Sequence, residues 1–243
     1  MTRGWMDGIE HIESLAVGYS DVPAGSMLPL AVMSHIMQGY QRTMIQWAQE
    51  RPPATQKSAH FSIGRDGRIV QHASIFTPTW TAGRVNAPTW ALLPAGANPN
   101  KHIVGIEHEG FSEEPSTYGH DYIYDDEHPW SDAMVLATGA VHEWIFEQVP
   151  LLVPSEDTVI GHFMVDASTR SNDPGDQWPR QKIIDWLAPT QTGKPEPLST
   201  LQLIRYALSG SAHVNDMHFT PEPYPTDRPG REYHRLDIPR RQQ

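Results

Sequence analysis

Gly161-His162-Phe163-Met164-Val165-Asp166, with Arg170-Ser171-Asn172-Asp173-Pro174-Gly175 close behind, is the stretch that decides how this chain is read. It sets a histidine and an aspartate eleven residues apart (162 to 173), joined by a polar loop and preceded by a short apolar strand at residues 158–161. A second histidine, His35, closes an apolar run at residues 28–36 far upstream. Two imidazoles and one carboxylate, with a fourth position left for water, are the donor set of a catalytic zinc site rather than a structural one. Strand ends are rigid enough to hold such donors in place. The blander readings are a core imidazole for His35 and a turn former before Pro174-Gly175 for Asp173.

Glu107 is the next candidate, at the end of a short strand in Val104-Gly105-Ile106-Glu107-His108-Glu109-Gly110. A period of two puts Glu107 and Glu109 on one face and His108 on the other. A carboxylate beside a metal centre can take the proton of an attacking water; a strand-end salt bridge is the alternative. Other motifs fail. His142-Glu143-Trp144-Ile145-Phe146 begins like a zinc-protease helix, but Phe146 stands where the second histidine belongs. Asp125-Asp126-Glu127 lacks the spacing of a calcium loop.

The bulk composition excludes several classes. In 243 residues, 18 Lys and Arg stand against 29 Asp and Glu, a formal charge of −11, so a nucleic-acid partner is not expected. There is no cysteine, which removes disulfides, thiolate metal sites and a cysteine nucleophile. No window approaches the roughly 20 apolar residues of a membrane span. The expectation is a chain made in the cytoplasm without a signal peptide.

Secondary-structure signals alternate along the chain. Residues 28–36 read as a buried strand and 38–50 as a helix stopped by Arg51-Pro52-Pro53. Segments 59–64 and 68–73 flank Arg65-Asp66-Gly67, a hairpin signal. Residues 103–107 form a strand, 110–130 an acidic loop, and Ser131 caps a helix with Met134, Val135, Thr138, Val141, Ile145 and Val149 on one face. Pro179 opens a last helix with Ile183, Ile184 and Leu187 inward. The order predicts an α/β domain, a central mixed β-sheet flanked by helices. The catalytic domain is expected over 1–188, with its core at 28–187. Residues 189–243 are expected to be a linker and C-terminal extension, with a helix over 198–208, that either packs on the domain or serves as a small wall-binding element.

Five segments together resemble the type 2 N-acetylmuramoyl-L-alanine amidases, a zinc family that includes phage lysins, bacterial muropeptide amidases and animal peptidoglycan recognition proteins. They are Ala31-Val32-Met33-Ser34-His35; the hairpin from Ser58 to Gln71; Trp80-Thr81-Ala82-Gly83; Asn100 with Val104-Gly105-Ile106-Glu107; and Gly161-His162 with Asp173-Pro174-Gly175. The resemblance runs over about residues 30–187. It implies a zinc groove on one side of the sheet, His35, His162 and Asp173 as Zn2+ ligands, and Glu107 as the catalytic carboxylate. It also implies Trp80, Thr81, Asn100 and His60 as substrate-binding residues. The family commonly has a lysine two residues before the third ligand; here that residue is Ser171, and Arg170, one earlier, is expected to steady the oxyanion. Guanidinium and ammonium differ in geometry and reach. Thr81 stands where many relatives have histidine.

The implied reaction is hydrolysis of the amide between N-acetylmuramic acid and L-alanine of the stem peptide, with peptidoglycan or a muropeptide as substrate. The expected setting is a phage or prophage endolysin that reaches the wall after holin-type release. A cytosolic muropeptide-recycling amidase and a non-catalytic peptidoglycan-binding module remain the alternatives.

Overall fold

Two aliphatic runs, Ala31–Ile36 and Ile103–His108, pair in parallel at the centre of a six-stranded sheet. In this computed structural model residues 4–15, 17, 22, 25–49, 57–110 and 130–188 are described. In chain order the strands are β1 (Glu10–His11), β2 (Ala31–Ile36), β3 (Phe61–Ile63), β4 (Ile69–Gln71), β5 (Ile103–His108) and β6 (Val159–Gly161). The helices are α1 (Gln41–Gln49), α2 (Asp132–Gln148), α3 (His162–Val165) and α4 (Arg180–Leu187). The strand order is β1-β4-β3-β5-β2-β6, parallel throughout except for the β3–β4 hairpin. This is the expected α/β class with a mixed sheet.

Alternation along β2 and β5 divides the core into two layers. Val32, Ile36, Val104 and Ile106 pack with Met134, Val135, Val141 and Ile145 of α2 and Ile183 of α4. Ala31, Met33 and Ile103 face the other way and pack with Ala82, Trp90, Ile160 and Val165. Helices α2 and α4 therefore cover one face, and loops with α3 pack on the other, while Met44 of α1 packs separately with Met37 and Ala59. Each fully buried aliphatic side chain stabilises the fold by about 1.5–3 kcal/mol.

Local chemistry sets the connections. In the hairpin Gly67 takes φ +82, a left-handed conformation open to glycine, and Asp66 Oδ1 accepts from Arg68 N at 2.9 Å. Ser131 Oγ accepts from Met134 N at 3.2 Å, capping α2, and donates to Arg65 O, tying the cap to the hairpin tip. Burial on α2 is broader than the expected stripe and includes Ala137, Gly139 and Ala140, because α4 packs on a second side. A Cβ on Gly139 would sit 3.3 Å from the Trp186 ring.

Three boundaries shift. The expected strand at 28–36 begins at Ala31, since Leu28 is exposed. The helix expected from 38 begins at Gln41, because Gln38 has φ +52 and Gly39 instead bridges Gly110 through paired backbone hydrogen bonds of 3.0 Å. The strand expected at 158–161 begins at Val159 and passes directly into α3 at His162. The acidic loop at 111–129 and the expected linker, extension and helix beyond 188 lie outside the described residues. All described residues belong to the first of two compact units, Met1–Gly210 and Ser211–Gln243. Among the described residues no helix is long and apolar enough to cross a membrane.

Four histidines outside the candidate site are held neutral by burial. It lowers His60 and His108 from 6.5 to about 3, and His72 and His142 to about 4. Below pH 6.5 the unfolded chain takes up protons that the folded chain refuses until pH falls to 3–4, so stability falls as pH drops through that window. Each group contributes a slope on the order of 1 kcal/mol per pH unit. Urea unfolding midpoints should therefore decline steadily from pH 7 to pH 5; constant midpoints would contradict this.

Candidate active site

The register of the central strands places the first two residues. His35 of β2 is the cross-strand partner of Glu107 of β5, so both point to the loop-covered face. His35 Nδ1 lies 3.2 Å from Glu107 Oε1, without the alignment of a hydrogen bond. On the other flank of β2, β6 pairs Gly161 with Ser34 and delivers His162 at the start of α3. Gly161 is required by close approach: a Cβ there would stand 2.8 Å from both the Phe163 ring and Pro174 Cδ.

The loop after α3 returns Asp173 to the same point. Phe163 N donates to Asp173 O at 2.9 Å. Asp166 accepts from Ser168 Oγ at 2.6 Å and Thr169 Oγ1 at 2.8 Å, bracing the turn that carries Arg170. Asp173 then splits its oxygens. Oδ1 accepts from Ile36 N at 2.9 Å. Oδ2 lies 2.7 Å from His35 Nε2 and 3.2 Å from His162 Nδ1. The two imidazoles meet edge to face, with centroids 4.6 Å apart.

His35, His162 and Asp173 each offer one donor atom, and these atoms lie within 4.8 Å of one another. Tetrahedral zinc bonded at about 2.0–2.2 Å needs donors about 3.4 Å apart. Two imidazoles and one carboxylate oxygen fit that ion with small adjustments.

The electrostatics follow from burial among unlike charges. Burial alone would lower His35, but Asp173 and Glu107 outweigh it and raise it to about 9. Burial would raise Asp173, yet the His35 and His162 contacts hold it well below the usual carboxylate range. Glu107 is pushed up, first by burial and then by Asp173, against the pull of His35, Arg170 and Lys57. Burial lowers His162. Arg170 is exposed, and its charge acts on His35, Glu107 and His162.

Four of the expected site residues, His35, Glu107, His162 and Asp173, thus meet at one point, with Arg170 beside them. Three of the expected substrate contacts are buried side chains. His60 is fully buried; its Nδ1 accepts from Gly105 N at 3.0 Å and its Nε2 donates to Thr77 O at 2.9 Å. Asn100 is 1% exposed, with its amide bound to the Ala82-Gly83 backbone. Thr81 is 4% exposed and packs over Gly105. These side chains support the site from behind. Trp80 keeps partial exposure and borders an open groove with Arg84, Asn86 and Asn98. Sequence reasoning missed the Ala82 carbonyl, which lies 3.3 Å from His162 Nε2 and leaves no side-chain signal. It also missed Asp166, whose Asp-x-Ser-Thr pattern is a legible turn brace.

Fold and cluster together define an α/β protein with a two-histidine, one-aspartate group that could hold a metal ion. The family described as N-acetylmuramoyl-L-alanine amidase matches residues 26–176, and the chain belongs to that family. Its reaction class is hydrolysis of an amide in peptidoglycan. Among solved structures the chain is similar to a selenomethionine derivative of AmpD, at 20% identity and a TM-score of 0.53, covering 76% of this chain and 98% of that one. It is also similar to AmiD from E. coli, solved with anhydro-N-acetylmuramic acid-L-Ala-D-gamma-Glu-L-Lys, at 20% identity and a TM-score of 0.50, covering 70% and 65%. At these identities the likeness speaks to the fold. Comparison with curated protein sequences finds no match.

Gly105 is the tightest point behind the site. A Cβ there would lie 1.9 Å from Thr81 Oγ1 and 2.5 Å from Thr81 Cβ. Gly105→Ala should cost about 1–3 kcal/mol by overpacking. Chemical denaturation checks this, and wild-type stability in the variant would contradict the packing described.

Proposed function

We propose that the chain is a zinc-dependent N-acetylmuramoyl-L-alanine amidase in which His35, His162 and Asp173 hold the metal and Glu107 is the proton carrier. The observation that supports this most is the convergence of those three donors beside a buried glutamate set in register with one of them. Zinc held there would supply Lewis acidity, polarising the scissile carbonyl and lowering the pKa of water to about 7. Glu107, its pKa raised by burial, takes a proton from the attacking water and passes it to the leaving amine. Arg170, exposed at the mouth of the site, steadies negative charge on the carbonyl oxygen. Trp80, on the rim, contacts the substrate.

The catalytic domain is assigned to 1–188, with 189–243 as an appended segment. We assign the protein to wall lysis as a phage or prophage endolysin, made in the cytoplasm and released by a holin-type partner.

The purified protein should contain one zinc per chain by metal analysis, and His35→Ala or Asp173→Ala should lower that content. Glu107→Gln should keep the zinc and lose about 10²–10⁴-fold in turnover. Wild-type turnover in Glu107→Gln would remove Glu107 from the mechanism. Intact sacculi should be cleaved faster per mass of substrate than soluble muropeptides; the reverse preference would point to recycling.

A further inference from the structure

We propose that Asn100 is a positioning residue that fixes which ring nitrogen of His162 is free to bind the metal, acting through the Ala82 carbonyl. The proposal rests on the reading of His162 as a ligand.

His162 faces two acceptors. Its Nδ1 lies 3.2 Å from Asp173 Oδ2, and its Nε2 lies 3.3 Å from Ala82 O. A neutral imidazole carries one proton and can satisfy only one of them. If Asp173 takes it, Nδ1 is blocked as a ligand. If Ala82 takes it, the Nδ1 lone pair is left facing the donor cluster. A ligating histidine characteristically donates its other N–H to a carbonyl or carboxylate. The aim of one backbone carbonyl therefore decides the outcome.

Asn100 controls that aim. Its Oδ1 accepts from Ala82 N at 2.8 Å and its Nδ2 donates to Gly83 O at 2.7 Å. These bonds grip the chain on both sides of the peptide unit that carries Ala82 O. The turn is closed by Gly83 N donating to Trp80 O at 3.2 Å, with Gly83 at φ +60. Asn100 is itself held: Asn98 Oδ1 accepts from its backbone N at 3.0 Å and from its Nδ2 at 3.2 Å. Both amide hydrogens and the amide oxygen are engaged, and the side chain is buried, so it has no free group to offer a substrate.

The test uses the full-length chain with Asn100→Ala and Asn100→Asp, the second keeping an acceptor for Ala82 N while losing the donor to Gly83. Zinc affinity is measured by chelator competition, beside thermal unfolding of the metal-free protein. In the metal-free protein, ¹⁵N NMR of the His162 ring reports the tautomer. Zinc binding should weaken about 10–100-fold in Asn100→Ala, and less in Asn100→Asp. The His162 proton should shift from Nε2 towards Nδ1, which loss of stability alone would not cause. Should the alanine variant fail to fold, the aspartate variant carries both readouts. Zinc affinity within twofold of wild type, or an unchanged His162 tautomer, overturns the proposal while leaving His162 a ligand. If His162→Ala binds zinc as tightly as wild type, the ligand reading falls and the proposal falls with it.

Discussion

Parallel pairing of β2 with β5, in the register that sets His35 against Glu107, is the constraint from which the site follows. A slip of one residue would turn both side chains into the layer filled by α2 and α4, and would bring Ser34 and Ile106 to the loop side. The register is held by the aliphatic residues between them. Val32, Ile36, Val104 and Ile106 are buried on the helix side, and Ala31, Met33 and Ile103 on the loop side. A half-buried histidine and a buried glutamate are kept side by side because moving either would expose a hydrophobic face on each side of the sheet. Asp173 depends on the same strand, since its Oδ1 is fixed by the Ile36 N–H.

The two faces of the sheet divide the labour. The helix face supplies most of the apolar burial. The loop face carries polar groups that are costly to bury unless paired. There polar groups are paired locally: His60 between the Gly105 amide and the Thr77 carbonyl, Asn100 between the Ala82 amide and the Gly83 carbonyl, Asp166 with the Ser168 and Thr169 hydroxyls. The buried polar atoms without a hydrogen bond on that side include His35 Nδ1 and Glu107 Oε2, members of the cluster to which chemistry is assigned. Unpaired polar atoms at the point of proposed chemistry fit a framework that leaves its reactive groups available, although Thr81 Oγ1 behind the site is unpaired as well.

Much of this was legible in the chain. β2, the hairpin, β5 and α2 have periodicity, turn residues and a cap that agree with one another, and each lies within a few residues of its expected place. The donor set and Glu107 were legible because their residue types are rare at strand ends and arrive in a family order. Depth was not legible. A motif gives the identity of His60, Thr81 and Asn100 but not whether the side chain faces solvent or the sheet, and all three lie behind the site. The start of α1 was obscured because nothing in Gln38-Gly39 announces a left-handed residue followed by a bridge to Gly110. The Ala82 carbonyl was invisible for a simpler reason: every residue carries one, and only the fold aims it.

The central claim is that His35, His162 and Asp173 share one ion. Anomalous scattering at the zinc edge, from crystals of the protein with zinc, tests it most directly. The expected result is a single strong peak within about 2.0–2.2 Å of one nitrogen from each histidine and one Asp173 oxygen, with Glu107 alongside and unbound. A peak elsewhere, or none at that point in protein that cleaves peptidoglycan, would contradict the account.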